Sequence, residues 1–221
     1  GYFQETADRA ENSSFISEES ARVASLSIRA SLDSRDDVFA PAAGHNLFLN
    51  LKGASRIIGG DVDFLKIELG GSYHFALTES TLVHLGSKAG TILVSGGAHE
   101  QIPFNERFFM GGENTVRGYL EGGATPLDEE GAEVGAEAYL LSNMELEQRM
   151  FMQLSIVAFV DIVGNMRDGL SSGKSEWLYS IGLGLRYNTI VGPLRLEYGY
   201  NPSPRSGDPK GTLHFSIGFP F

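Results

Sequence analysis

The side chains whose types and spacing could do chemistry are concentrated between Pro103 and Tyr119, in the run P-F-N-E-R-F-F-M-G-G-E-N-T-V-R-G-Y. Two guanidiniums, Arg107 and Arg117, stand there among Phe104, Phe108, Phe109, Met110, Val116 and Tyr119. A segment this apolar has to pack against something. Gly111, Gly112 and Gly118 permit positive φ and close backbone approach, so the segment can fold back on itself. Its chemistry is then anchoring, by a guanidinium and several rings in an enclosed space lined with carboxylates. The competing reading is a glycine-rich surface loop in which the arginines are incidental.

Turnover chemistry finds little to work with. His45, His74, His84, His99 and His214 are scattered without metal-ligand spacing and read as interior or loop residues. No G-x-S-x-G nucleophile elbow occurs. Asp128, Glu129, Glu130 and Glu133 could offer oxygen ligands to calcium, but a solvated acidic loop explains them more simply. The expectation is no enzyme, no catalytic residue, no metal and no cofactor. A net charge of -11 argues against nucleic acid, whose phosphates are bound by clustered Lys and Arg. With no cysteine, disulfides and thiol chemistry are excluded.

The elements that position these residues follow a period of two. From Ala21 onward, Ala24, Leu26, Ile28, Ala30 and Leu32 alternate with Ser25, Ser27, Arg29, Ser31 and Asp33. Similar alternation predicts further strands near 46–52, 64–77, 81–97, 134–147, 152–162, 177–188, 194–200 and 212–221. The clearest sets Trp177, Tyr179, Ile181, Leu183, Leu185 and Tyr187 against Ser180, Gly182, Gly184 and Arg186, with aromatics at both ends as in a strand crossing a bilayer. A mean hydropathy of -0.09 suits such strands, because apolar and polar positions cancel. Helical spans are excluded, since no apolar run approaches the roughly 20 residues required.

Connections alternate in length, short near 79–80, 149–150 and 190–192 and long at 98–133, 165–176 and 203–211; the long one at 34–45 breaks the rule. Mid-strand charges at Arg29, Lys66, Glu68, Glu145, Asp161, Arg186, Arg195 and Glu197 suit a wet barrel interior better than a sandwich core. A soluble sandwich with one solvated face per sheet remains the alternative. Gly1 to Phe3 reads as the end of a preceding strand, and residues 1–20 as that stub plus an external loop. The opening lacks a signal peptide's basic region and apolar core, which implies either a processed fragment or an export signal upstream. About nine strands with a stub cannot close an even-numbered antiparallel barrel, and an open edge in lipid leaves backbone groups unsatisfied. Partner strands are therefore expected in an absent N-terminal region.

The motif R-F-F-x-G-G-x-x-x-V-R-G-Y, Arg107 to Tyr119, resembles the signature of the barrel-inserted loop in the BamA/TamA superfamily of outer-membrane assembly factors. The likeness runs from about Ser20 to Phe221. It implies an all-β, antiparallel transmembrane β-barrel, here the last nine strands of sixteen, over residues 21–221, with loop 98–133 inserted in the lumen. It also implies that Arg117 pairs with Glu145 in N-M-E-L and Asp161 in F-V-D. Phe159-Val160-Asp161-Ile162-Val163-Gly164 carries one residue more than the family's F-x-D-x-G, so a bulge is expected there. N-T-I-V-G-P-L-R lacks the first proline of the matching family turn. Phe215, Ile217, Phe219 and Phe221 are similar to the C-terminal recognition signal of outer-membrane barrels, although Pro220 cannot donate a ladder hydrogen bond. The implied function is insertion of client outer-membrane proteins without nucleotide or metal. Lipid and client proteins, with POTRA domains and accessory subunits, would be its partners. A two-partner-secretion pore, a membrane anchor for a fused lipase-like enzyme and a passive porin are the alternatives.

Overall fold

Alternating sequences give a single antiparallel sheet in which each strand pairs with its sequence neighbours. A computed structural model describes residues 21–94, 102–170, 173–190 and 192–218. The sheet has nine strands in sequence order. They are β1 (Ser25–Asp33), β2 (Gly44–Ala54), β3 (Phe64–Ala76), β4 (Thr81–Val94), β5 (Ala138–Phe151), β6 (Leu154–Met166), β7 (Glu176–Thr189), β8 (Gly192–Tyr200) and β9 (Gly211–Ile217). No α-helix occurs among the described residues. The proposed stub at Gly1 to Phe3, the loop to residue 20, His99, Phe219, Pro220 and Phe221 lie outside the described residues.

One face of the sheet is greasy and uncovered. Ile156, Val160, Trp177, Ile181, Leu183, Leu185, Phe215 and Ile217 are all exposed on it, with Leu183 at 64% and Phe215 at 69%. A soluble protein rarely leaves an apolar area this extensive in water, and no second layer among the described residues covers it. Lipid is the solvent that fits. That removes the sandwich alternative, in which these side chains would form a dry core.

The other face carries the chain between β4 and β5. Phe108, Met110, Val116, Tyr119 and Ala124 from this segment pack with Ile92, Tyr139, Leu141, Val163 and Leu178 of the sheet in one buried cluster. Full burial of each larger apolar side chain is worth about 1.5–3 kcal/mol. The inner face is therefore dry where the loop lies, unlike the water-lined wall that alternation alone suggests.

Several boundaries shift from those read in the sequence. β5 begins at Ala138, because Ala136 is taken by the loop, where it bridges Phe108 in antiparallel fashion. It runs on to Phe151, so the tight turn sits after Arg149–Met150, at Met152, whose φ is 53°. The expected bulge beside Asp161 is absent: β6 pairs with β7 without a break, Val163 opposite Leu178 and Gly164 opposite Trp177. The extra residue places Val163 on the loop-bearing face, fully buried, and moves Gly164 to the lipid face. There the Trp177 ring lies across it, 2.9 Å from where a Cβ would stand.

The long β1–β2 connection is an ordered arch. Asp36 Oδ1 accepts from the backbone N–H groups of Asp37, Ala42 and Ala43, and Arg35 forks onto Asp33. Burial would push the Asp36 carboxyl up, but those N–H donors outweigh it and hold the group below its ordinary value. Phe39 reaches across to the start of β8, 3.6 Å from the Cβ position of Gly192.

Candidate functional site

Arg117 sits at the centre of the loop-bearing face with its guanidinium about 1% exposed. Asp161 of β6 takes it in a fork, Nε to Oδ2 at 2.9 Å and Nη2 to Oδ1 at 2.7 Å, and Oδ2 also accepts the Arg117 backbone N–H at 3.0 Å. Glu145 of β5 accepts from Nη1 at 2.5 Å. Glu197 of β8 accepts from the same nitrogen at 3.2 Å. The guanidinium carbon Cζ lies over the Phe159 ring, 3.5 Å from its centroid, so the cation is held by anions and by a π-system together.

Strand parity explains why these groups converge. Asn143, Glu145 and Glu147 on β5, Phe159 and Asp161 on β6, Ser180 and Arg186 on β7, and Arg195 and Glu197 on β8 all have inward parity and are buried. Asn143 donates to both Asp161 and the Thr115 carbonyl, tying the carboxylate to the loop backbone. Arg186 donates to Glu145 at 2.8 Å and to Glu197 at 2.7 Å, so both glutamates are shared between two guanidiniums. Arg195 adds a third cation beside Glu197 at 3.5 Å. Alternating signs let so many charges leave water together, since each buried ion has an opposite neighbour.

The loop backbone needs room to enter this site. A Cβ on Gly199 of β8 would stand 2.3 Å from the Arg117 carbonyl carbon, so only glycine lets the V-R-G turn lie against β8. His214 of β9 makes a hydrogen bond through Nε2 with the Arg117 carbonyl at 2.8 Å. The positive φ of Gly111 and Gly112, 118° and 92°, folds the preceding segment back on itself.

Sequence-derived residues separate into three groups. Val116, Arg117, Gly118 and Tyr119 lie in the seat, together with Glu145 and Asp161, whereas Phe108 is buried against Tyr139, 4.8 Å between ring centroids, nearer the start of the loop. Arg107 and Phe109 face elsewhere: Arg107 approaches Glu137 at 3.7 Å, and the Phe109 ring packs on Phe104 at 4.7 Å. Phe215 and Ile217 of the closing strand point to lipid, while Phe219 and Phe221 are not described.

Sequence reasoning missed other parts of the site. Glu197 and Arg186 were legible as inward charges, but not Glu197 as a partner of Arg117 or Arg186 as the second cation on Glu145 and Glu197. The histidines are not all scattered: His74 and His84 lie directly opposite on β3 and β4 with Nδ1 atoms 2.9 Å apart, and His84 Nε2 is 3.4 Å from Glu147. Their symmetric spacing about the tight turn at 77–80 was the available signal. Near the start of the loop, Lys52 and Lys66 reach Glu106, and Lys66 also lies 4.4 Å from the Phe108 ring centroid.

Fold and site together define a section of a transmembrane β-barrel with an inward-folded loop. The chain belongs to the Omp85 superfamily, whose domain matches residues 2–221, and its place is an outer membrane of bacterial or organellar type. It is 30% identical to the outer membrane protein assembly factor BamA of Nitratidesulfovibrio vulgaris, over 73% of this chain and 21% of that protein. It is 32% identical to the chloroplastic outer envelope protein 80 of Arabidopsis thaliana, over 62% of this chain and 18% of that protein. A SAM50-like protein of Schizosaccharomyces pombe is 31% identical over 79% of this chain and 39% of its own length. The crystal structure of Haemophilus ducreyi BamA lacking POTRA domains 1–3 superposes with a TM-score of 0.73 at 19% identity, covering 88% of this chain and 42% of that one. The chain thus spans well under half the length of these relatives, and the sheet is open because it is one part of a barrel.

Proposed function

We propose that this chain is the C-terminal section of a barrel that assembles client β-barrel proteins into an outer membrane, without turnover chemistry, nucleotide or metal. The observation that carries the reading is the seat of Arg117, where three strands contribute carboxylates to one loop cation. A passive pore gains little from fixing an inserted loop so firmly. An assembly factor needs a fixed interior while one of its seams works, and the names of the bacterial relatives support that direction.

The working element in this proposal is β9. It stands last in the sheet, with its outer edge unpaired among the described residues, and its short ladder ends at Ile217. Weak pairing of this strand with the barrel's first strand opens a seam, and a client strand adds to the free edge through main-chain hydrogen bonds. The loop, inserted in the lumen over its described residues 102–133, stays seated by Arg117, Glu145 and Asp161 while the seam opens. Lipid and client barrels are the partners; POTRA domains and accessory subunits would act from outside this section.

Replacing Arg117 with Ala in the membrane-embedded protein tests this. Assembly of a model client barrel into liposomes is expected to slow strongly, with barrel stability reduced. Unchanged rates and unchanged stability would overturn the role of the seat. An open, steady ionic conductance with no effect on client assembly would instead identify a passive porin.

A further inference from the structure

The seat of Arg117 holds the middle of the inserted loop, and the backbone beyond it is held by different groups. Past Tyr119 the chain turns and presents three successive carbonyls, those of Gly123, Ala124 and Thr125, to side chains of the barrel. Arg205, in the β8–β9 connection, donates Nη2 to the Gly123 carbonyl at 2.6 Å and Nη1 to the Thr125 carbonyl at 2.8 Å. Asn165 of β6 donates Nδ2 to the Ala124 carbonyl at 2.8 Å. Ala124 and Thr125 are fully buried, so these carbonyls have exchanged water for side-chain donors.

Arg205 is itself held. Asp208 Oδ2 accepts from its Nε and from its backbone N–H, both at 2.9 Å, and Oδ1 accepts from Nη2 at 3.2 Å. Glu176, the first residue of β7, accepts from Nη1 at 3.2 Å. One guanidinium therefore joins the inserted loop, the start of β7 and the β8–β9 connection. Burial would lower its basicity, but the Asp208 and Glu176 carboxylates more than offset this and keep it charged.

We propose that Arg205 is a positioning residue that forms a second latch for the inserted loop, independent of Arg117, fixing residues 123–125 at the outer end of the barrel with help from Asn165. The two latches divide the work: Arg117 fixes the turn of the motif at mid-sheet, and Arg205 fixes the return limb. A guanidinium suits this place because two carbonyls and two carboxylates are served at once by a planar fork, which an ammonium cannot reproduce. The latch rests on the reading that a seated loop matters for client assembly, but its effect on the loop can be measured separately.

The chain contains no cysteine, so a single introduced one takes a spin label at a chosen place. Leu120→Cys, exposed beside the return limb, and Glu113→Cys, on the Arg117 side, report the two regions in the membrane-embedded protein. Arg205→Ala is expected to mobilise the label at 120 and leave the label at 113 unchanged; Arg117→Ala is expected to mobilise the label at 113 more than that at 120. Arg205→Lys should restore only part of the order at 120, and it supplies the reading if the alanine variant does not fold. A label at 120 as immobile in both Arg205 variants as in the parent overturns the latch. So does equal mobilisation at both positions by Arg205→Ala, which would mean general loosening. If the label at 120 is freed but client assembly runs at the parent rate, the latch stands and the proposed role of the loop in assembly falls.

Discussion

Gly199→Ala adds one methyl group, yet it should be among the more damaging changes in the chain. The new Cβ would lie 2.3 Å from the carbonyl carbon and oxygen of Arg117 and 2.6 Å from the Gly118 nitrogen. These are backbone atoms, so no side-chain rotation relieves the clash. Ordinary contact begins at 3.4 Å, and the V-R-G turn must therefore retreat by about 1 Å from β8. That retreat stretches the 3.0 Å bond from the Arg117 N–H to Asp161 beyond hydrogen-bond reach and disturbs the fork behind it. Overpacking alone costs about 1–3 kcal/mol. If the turn lifts out altogether, the buried carboxylates lose their cation, and breaking such a pair costs about 3–5 kcal/mol. The expected loss of stability is thus about 2–5 kcal/mol, read from the urea midpoint of the barrel reconstituted in lipid at constant m-value. Gly53→Ala on β2 is the control, because nothing lies within 4 Å of its Cβ position. It should stay within about 0.5 kcal/mol of the parent. Equal midpoints for the two variants would refute the claim that close approach of the loop backbone to β8 holds the seat together.

Other substitutions probe the remaining parts. Glu197→Gln removes the anion shared by Arg117, Arg186 and Arg195, and the unfolding midpoint should fall by an amount equivalent to about 3–5 kcal/mol. Leu183→Arg, on the uncovered face, should cost about 2–4 kcal/mol in a bilayer, since that face meets lipid; a negligible cost in lipid vesicles would contradict the membrane assignment. Lys66→Met removes a donor to the Glu106 carbonyl and a cation over Phe108, so protection of the backbone amides near 106–108 against hydrogen exchange should drop by about tenfold, the amide at 117 being unaffected. Asp36→Ala withdraws the acceptor of three backbone N–H groups, and a protease should then cut the β1–β2 connection faster than in the parent.

Much of the fold was legible because a strand with lipid on one side writes its faces into the sequence. Trp177 to Tyr187 and Leu213 to Ile217 needed nothing beyond their period of two. The short turns fixed the neighbours, and antiparallel order followed. The ends of β5 and β6 were less legible: Ala136 has the parity of a strand residue but is claimed by Phe108 of the loop, a contact 28 residues distant in sequence. Gly164 misled for a different reason, since its slot beneath Trp177 shows only when β6 and β7 are placed in register. In the site, Glu145 and Asp161 came from the likeness of the motif to a known family, whereas Glu197 could be read only as an inward charge. Its 80-residue separation from Arg117 is bridged by the curvature of the sheet and the fold of the loop, neither of which leaves a periodic trace. Arg205 was hidden for the same reason, in a loop where polar residues look alike.

The segment between β4 and β5 touches eight of the nine strands: Lys52 of β2, Lys66 of β3, Gly90 of β4, the anion cluster on β5, β6 and β8, Ser180 of β7 and His214 of β9. Contacts at so many points would brace the sheet as a frame braces an arch, and would help to set the radius of its arc. On the proposed opening of a seam, an arch braced this way is expected to keep its curvature when its ends are parted, because its shape would not depend on a completed ring.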